Sequence, residues 1–411
     1  VTTATVTCPF CGLACDDLMV SPAGVDTRGC ARARAGFSRV AAPERPHRIA
    51  GTSADLRAAV SAAARILGKA SAPLFHGLTA DLHGIRAVLA LAERVGGTVD
   101  HLYSPALLAN AAVARASGWV VATFAEIANR ADFILLVGAD PSLNFPRFHE
   151  RLVRNATPLY REGAPSVAYI GPERLAPPAS VATVRVMLGE IELLDAIAAL
   201  SLLARERRIS PGRANFPVES IGTIAERLRS ARYGAIVWDL SSCAPETAEL
   251  VVEYLAEILR HLNVRTRCVG LPLGGSGNAL GASQAALWQT GWPLRVSFAA
   301  GIPDHDPWRH DGSRILDAGE ADAVVWVAAS VVEPPPETAA PVIALIADDV
   351  ALRGPAAVEI RVGIPGIDHG GAVVRADSVI AVPLHAVRAS SRPRVSEVVC
   401  AIMSALAVPP C

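Results

Sequence analysis

Apolar positions along the chain follow two rhythms. Short continuous runs closed by glycine or a polar pair read as strands buried on both faces: Ala72 to His76, Asp132 to Gly138 (D-F-I-L-L-V-G), Val167 to Gly171, Ala235 to Trp238, Arg295 to Ala299 and Ala323 to Ala328. Between them, alanine-rich stretches with apolar residues three and four apart predict amphipathic helices. These run from about 53 through Ala63 and at about 81 to 95, 190 to 205, 217 to 230, 245 to 262 and 279 to 290. The alternation predicts an α/β fold with at least two doubly wound units, in which the loop after a strand, such as Gly138 to Ser142, faces a ligand crevice. Residues 1 to about 50 break the rhythm with short strand-like pieces, a turn at Ser21-Pro22-Ala23-Gly24 and four cysteines. Pro334-Pro335-Pro336 marks a rigid surface turn, and Arg361 to Asp377 is expected as a glycine-rich ordered loop.

The expected fold class is therefore α/β, a small N-terminal Cys-rich metal module plus two doubly wound α/β domains. The expected boundaries are 1–50 for the module, joined by 365–411; 51–143 with 319–364 for one α/β domain; and 144–318 for a second, inserted α/β domain.

Composition narrows the class of function. The chain has 411 residues, 51% of them hydrophobic but only 5% aromatic, which suits two or three domains of small helices and β-branched strands. No apolar run reaches a bilayer span of roughly 18 to 20 residues, and no basic-then-apolar leader opens the chain, so a cytoplasmic protein without membrane contact is expected. The 38 basic and 39 acidic residues are interspersed, which excludes a nucleic-acid face. All the basic residues except Lys69 are arginine, a bias that, with the alanine content, reads as the mark of a GC-rich genome rather than of a binding surface.

Cys8, Cys11, Cys15 and Cys30 form C-x2-C-x3-C-x14-C. Three thiolates close in sequence can wrap one side of a metal centre while the fourth closes it, which satisfies either tetrahedral zinc or a cubane iron-sulfur cluster. Cys243, Cys268, Cys400 and Cys411 are scattered and read as small hydrophobes. The glycines of Gly138 to Ser142 and Leu273 to Gly281 could cradle phosphate, but turns need glycine for their own geometry.

The opening C-P-F-C-G-L-A-C-D-D with Gly29-Cys30 resembles that of the B-type subunits of formylmethanofuran dehydrogenase, a family of the molybdopterin oxidoreductases. The resemblance continues through F-A-E-I-A-N-R-A-D-F-I-L-L-V-G-A-D-P (124 to 141), Pro146-Arg147, Ala231-Arg232-Tyr233-Gly234, Asn278-Ala279-Leu280-Gly281 and V-G-I-P-G-I-D-H-G-G-A-V-V-R-A-D (362 to 377). It implies a [4Fe-4S] cluster on the tetrad and two doubly wound domains of the molybdopterin oxidoreductase type. In the dehydrogenases these domains hold a tungsten- or molybdenum-bispterin.

The catalytic positions depart from the family. The dehydrogenases carry C-H-G-P-S ahead of N-R-A-D, the cysteine ligating the metal beside a histidine. Counted back without gaps, that pentad falls on Ala106-Leu107-Leu108-Ala109-Asn110. The family's R-G-x-x-N-x-x-G, registered on Asn278 and Gly281, puts Gly274 where an arginine belongs. Where the dehydrogenases read V-D-P-R and bind pterin, this chain reads Gly171-Pro172-Glu173-Arg174.

The resemblance thus extends most naturally to the bacterial formyltransferase/hydrolase complex, whose B-type subunit needs no metal-pterin. It implies a non-redox structural subunit, with an amidohydrolase-like hydrolase subunit, a C-type subunit and a formyltransferase subunit as partners. The alternative is an active tungsten or molybdenum formylmethanofuran dehydrogenase with an unusual ligand, for which Ser104 or Asn110 are the residues to invoke.

Overall fold

The computed structural model describes residues 4–21, 23–155, 157–189, 192–209, 216–240 and 243–406. Pro22 of the predicted turn, the first two residues of the helix expected from 190, and Cys411 lie outside the described residues. Two compact units emerge, one of 1–104, 275–375 and 380–411, the other of 105–274 with 376–379.

In the second unit five parallel strands stand in the order Val184–Leu188, Ser166–Pro172, Phe133–Gly138, Gly234–Asp239 and Cys268–Leu273. The strand order reverses between Phe133–Gly138 and Gly234–Asp239, so the loops after those two strands flank the crevice where doubly wound sheets bind ligands. Helices Leu193–Ala204, Val218–Ser230 and Pro245–Leu262 bury their apolar stripes on this sheet around Trp238.

The first unit holds a nine-stranded sheet. Its parallel centre, Thr98–Val99, Pro73–Thr79, Ala323–Ala328, Val342–Ile346 and Val358–Arg361, is extended by antiparallel strands on both edges. Helices Leu56–Leu67, Leu82–Val95, Ala279–Thr290 and Val395–Leu406 supply its core. The first two start where expected because Asp55 and Asp81 accept hydrogen bonds from the first-turn N–H groups of Ala58 and Gly84. A three-stranded antiparallel sheet, Ala4–Val6, Leu18–Ser21 and Gly24–Asp26, belongs to the same unit.

Two expectations are corrected. The inserted segment spans 105–274 rather than 144–318. Strand Phe133–Gly138 pairs on both sides within the five-stranded sheet, while Ala282, Ala285 and Ala286 of helix Ala279–Thr290 pack into the core of the first unit. The stretch Arg361 to Asp377 is also more than a loop: Arg361 ends a strand, and Gly371–Val374 pairs antiparallel with Ala381–Leu384.

Candidate functional site

The cysteine segment is shaped by short-range bonds. Cys8 N–H donates to the Cys15 carbonyl at 2.8 Å and Ala14 N–H to that of Cys11 at 3.1 Å, with Ala14 at a φ of 44°. The strands Leu18–Ser21 and Gly24–Asp26 return the chain to Cys30, which caps helix Ala31–Ser38 with its Sγ accepting from Ala33 N–H at 3.4 Å. Phe10 holds that helix in place. Its ring meets Phe37 edge-on at 5.0 Å, and Gly36 leaves it room, since a Cβ there would lie 2.2 Å from the ring. The later motif reaches the same place: a Cβ on Gly366 would lie 2.9 Å from Pro9, and Ala14 packs with Val373 and Leu384.

Cys8, Cys15 and Cys30 are buried and Cys11 is half-buried. Burial pushes the Cys8 thiol up; the Phe10 N–H opposes this, and Cys11, Cys15 and Cys30 each add to the upward push. The four sulfurs are thus electrostatic neighbours, and several thiolates there would need a cation among them. As the side chains stand, no three His, Cys, Asp or Glu residues among the described residues have the arrangement of a metal site.

Ala106 and Leu107 lie half-buried in the first turn of helix Pro105–Ser117, and Gly274 directly follows strand Cys268–Leu273. The fold brings positions 106 and 274 together: a Cβ on Gly274 would sit 2.9 Å from the Ala106 carbonyl oxygen and 3.2 Å from its Cβ. An arginine at 274 would have to displace the turn that carries Ala106. One turn on, the Asn110 Oδ1 accepts a 2.8 Å bond from the buried Trp238 indole. Ser104 is fully buried, and its hydroxyl has no partner among the described residues. Cys243, in the loop after Gly234–Asp239, has its thiol pushed up to about 11 by burial and by Asp239.

At the crevice end of the five-stranded sheet, Asp140 takes hydrogen bonds from His149 Nε2 at 2.7 Å and from the Ser142 hydroxyl at 2.6 Å. Burial works against ionisation of Asp140, yet these two donors outweigh it and hold the carboxyl below its ordinary range. Because Ser142 donates to Asp140 and not to His149, the group locks the loop and activates no nucleophile. Sequence reasoning placed this loop at the crevice but missed His149, whose approach depends on the helical turn His149–Val153. Beside it the Tyr169 hydroxyl bonds the carbonyls of Gly138 and Pro172, each at 2.8 Å. A Cβ on Gly171 would lie 2.4 Å from the Gly138 oxygen. The strand end that precedes Gly171-Pro172-Glu173-Arg174 is therefore filled by the chain itself.

No family model matches the chain. The B-type subunit of the formyltransferase/hydrolase complex Fhc of Methylorubrum extorquens is 33% identical over 328 residues, covering 79% of this chain and 87% of the relative. The B-type subunit of tungsten-containing formylmethanofuran dehydrogenase 2 from Methanocaldococcus jannaschii is 25% identical over 401 residues, 91% of each chain. Among solved structures, the chain resembles one in the FhcABCD complex of Methylorubrum extorquens with methylofuran, with a TM-score of 0.76, 29% identity and coverage of 88% of this chain and 98% of that one. Acetylene hydratase from Pelobacter acetylenicus shares the fold at 11% identity, with a TM-score of 0.63 over 98% of this chain and 69% of its own. The mixed α/β architecture is thus one shared with molybdopterin-type oxidoreductase-like folds.

Proposed function

Because the chain belongs to the family of B-type subunits found in formyltransferase/hydrolase complexes and formylmethanofuran dehydrogenases, we propose that it is the non-redox structural subunit of a formyltransferase/hydrolase complex in one-carbon metabolism. In this reading the complex moves a formyl group from a tetrahydromethanopterin-type carrier to a methanofuran-type carrier and hydrolyses it to formate. The hydrolase-like, C-type and formyltransferase subunits carry those steps in the cytoplasm, and this chain holds them together. In keeping with a complex free in solution, no helix among the described residues is long and apolar enough to cross a membrane.

The observation that carries the reading is the contact between Ala106 and Gly274. The two places that the resemblance assigns to a metal ligand and an arginine are neighbours here, which supports that register, and they hold a methyl group and no side chain. A methyl cannot coordinate tungsten or molybdenum, and position 274 itself offers no guanidinium to hold formate or carbon dioxide. Of the two substitutes, the Asn110 carboxamide oxygen is engaged by Trp238, while the buried Ser104 hydroxyl has no partner among the described residues; neither supplies the missing histidine and arginine. With Tyr169 and Gly171 closing the strand end as well, the residues present do not fit a metal-bound pterin.

The tetrad does suit a thiophilic metal. Four soft sulfur donors, three of them buried, would hold a [4Fe-4S] cluster or zinc that closes a module too small to be stable alone. Reinstating cysteine by Ala106→Cys tests the reading. Viologen-linked oxidation of the formyl carrier should stay at background in both the parent and the variant complex, and turnover in either would overturn it.

A further inference from the structure

Strand His47–Ile49 pairs antiparallel with Val358–Arg361 so that Arg48 stands opposite Glu359. Glu359 and Arg361, two residues apart, share a face of their strand, and that face opens into a cavity of about 310 Å³. Its lining includes Arg45, Arg48, Glu359 and Arg361, with Gly51 and Gly354 at its rim of backbone. Arg361 is buried, ion-paired with Glu359, and donates from Nη1 to the carbonyls of Ala347 and Val350 at 2.8 Å each, while its Nε has no partner among the described residues. The Arg45 backbone is pinned on both sides: its N–H donates to Asp348 at 3.0 Å and its carbonyl accepts from Arg392 at 2.7 Å. Arg45 lines the cavity, close enough for its charge to act on Arg361. Arg45 and Arg48 are exposed, and neither guanidinium has an ion-pair partner among the described residues.

We infer that this cavity, unrelated to the positions of the lost metal-pterin chemistry, binds a small molecule carrying two negative charges as oxyanions, a dicarboxylate or a phosphate monoester. Three guanidinium groups against one carboxylate leave an excess of two positive charges in a concave site. Guanidinium forks match the oxygens of either anion in bidentate fashion. The volume lies at the small end of ligand sites, roughly 300 to 1,000 Å³, which suits one compact metabolite rather than a polymer. Holding Arg361 in place through backbone carbonyls and Glu359 leaves the two exposed arginines to close on the anion.

The test is arginine labelling by phenylglyoxal on the full chain in its co-purified complex, mapped by peptide mass, with inorganic phosphate or succinate as the probe. Arg45 and Arg48 should be labelled in buffer and protected saturably by one or both anions, while Arg57, exposed on helix Leu56–Leu67, is unaffected. Protection by phosphate alone assigns a phosphorylated ligand, by succinate alone a dicarboxylate. In Arg48→Ala the concentration that protects Arg45 should rise about tenfold, the worth of one charge-assisted contact. Three results would overturn the inference: equal protection by chloride at matched ionic strength, no labelling of either arginine in the complex, or protection of Arg45 undiminished in Arg48→Ala.

Discussion

Single residues decide what this scaffold can and cannot do. Counting without gaps from Asn129-Arg130-Ala131-Asp132 leads to Ala106 and the motif around Asn278 leads to Gly274, two positions that the fold sets in contact. The arginine cavity was not legible, since Arg45, Arg48 and Arg361 come together only through an antiparallel pairing that no local pattern announces. His101 was equally silent. Its Nδ1 accepts from Tyr103 N–H at 3.0 Å and its Nε2 bonds the Gly277 carbonyl at 3.2 Å, which fixes the neutral Nε2–H form. Burial pushes its pKa down to about 3, against 6.5 in the open chain, so between those values the unfolded state binds one proton more than the folded state. Stability must then fall as pH drops from about 6.5, by about 1.4 kcal/mol per unit for that proton. His101→Asn, followed by urea unfolding between pH 4 and 6, should flatten the slope by that amount; an unchanged slope would mean His101 titrates normally. Cys11→Ser should lower the yield of assembled complex while leaving formate production per assembled complex nearly unchanged. Normal assembly with lost turnover would make the tetrad functional instead of structural.

Elements built from long apolar runs were legible. Phe133–Gly138, Gly234–Asp239 and Ala323–Ala328 lie buried along their whole length, where β-branched and apolar residues suit a strand covered on both faces. Short elements were not. Val296–Ser297 is a two-residue strand, antiparallel to both its neighbours and following Arg295 at a φ of 65°, shorter than the strand expected from 295 to 299. Gly371–Val374 hides in a glycine-rich stretch because its stability comes from a partner strand and not from its own pattern. The entry of helix Ala279–Thr290 explains the N-x-x-G spacing physically. The Asn278 side chain donates to Ala80 O at 3.1 Å and accepts from Val374 N–H at 3.0 Å, and a Cβ on Gly281 would lie 2.3 Å from its Oδ1. Gly281→Ala, ordinarily a gain inside a helix, should therefore cost about 1 to 3 kcal/mol by expelling this clamp. In a thermal or urea denaturation series, adding it to Asn278→Ala should cost little more; full additivity would show that the two act separately.

Across the whole molecule, the division into α/β units was legible in kind but not in place. Strand order, which sets where an insertion begins, depends on pairing between segments far apart in the chain, and the strand Phe133–Gly138 gives no local sign that its neighbours are Ser166–Pro172 and Gly234–Asp239. On the proposed reading, the chain keeps an α/β architecture shared with molybdopterin-type oxidoreductase-like folds around positions 106 and 274, which carry a methyl group and no side chain. A mean hydropathy of +0.35 accords with the proposed place of the chain among other subunits. The most direct test of the central claim is elemental analysis of the purified complex by plasma mass spectrometry. Iron or zinc should be present and should fall with Cys11→Ser, with tungsten and molybdenum at background; either of the latter near one atom per chain would contradict the account.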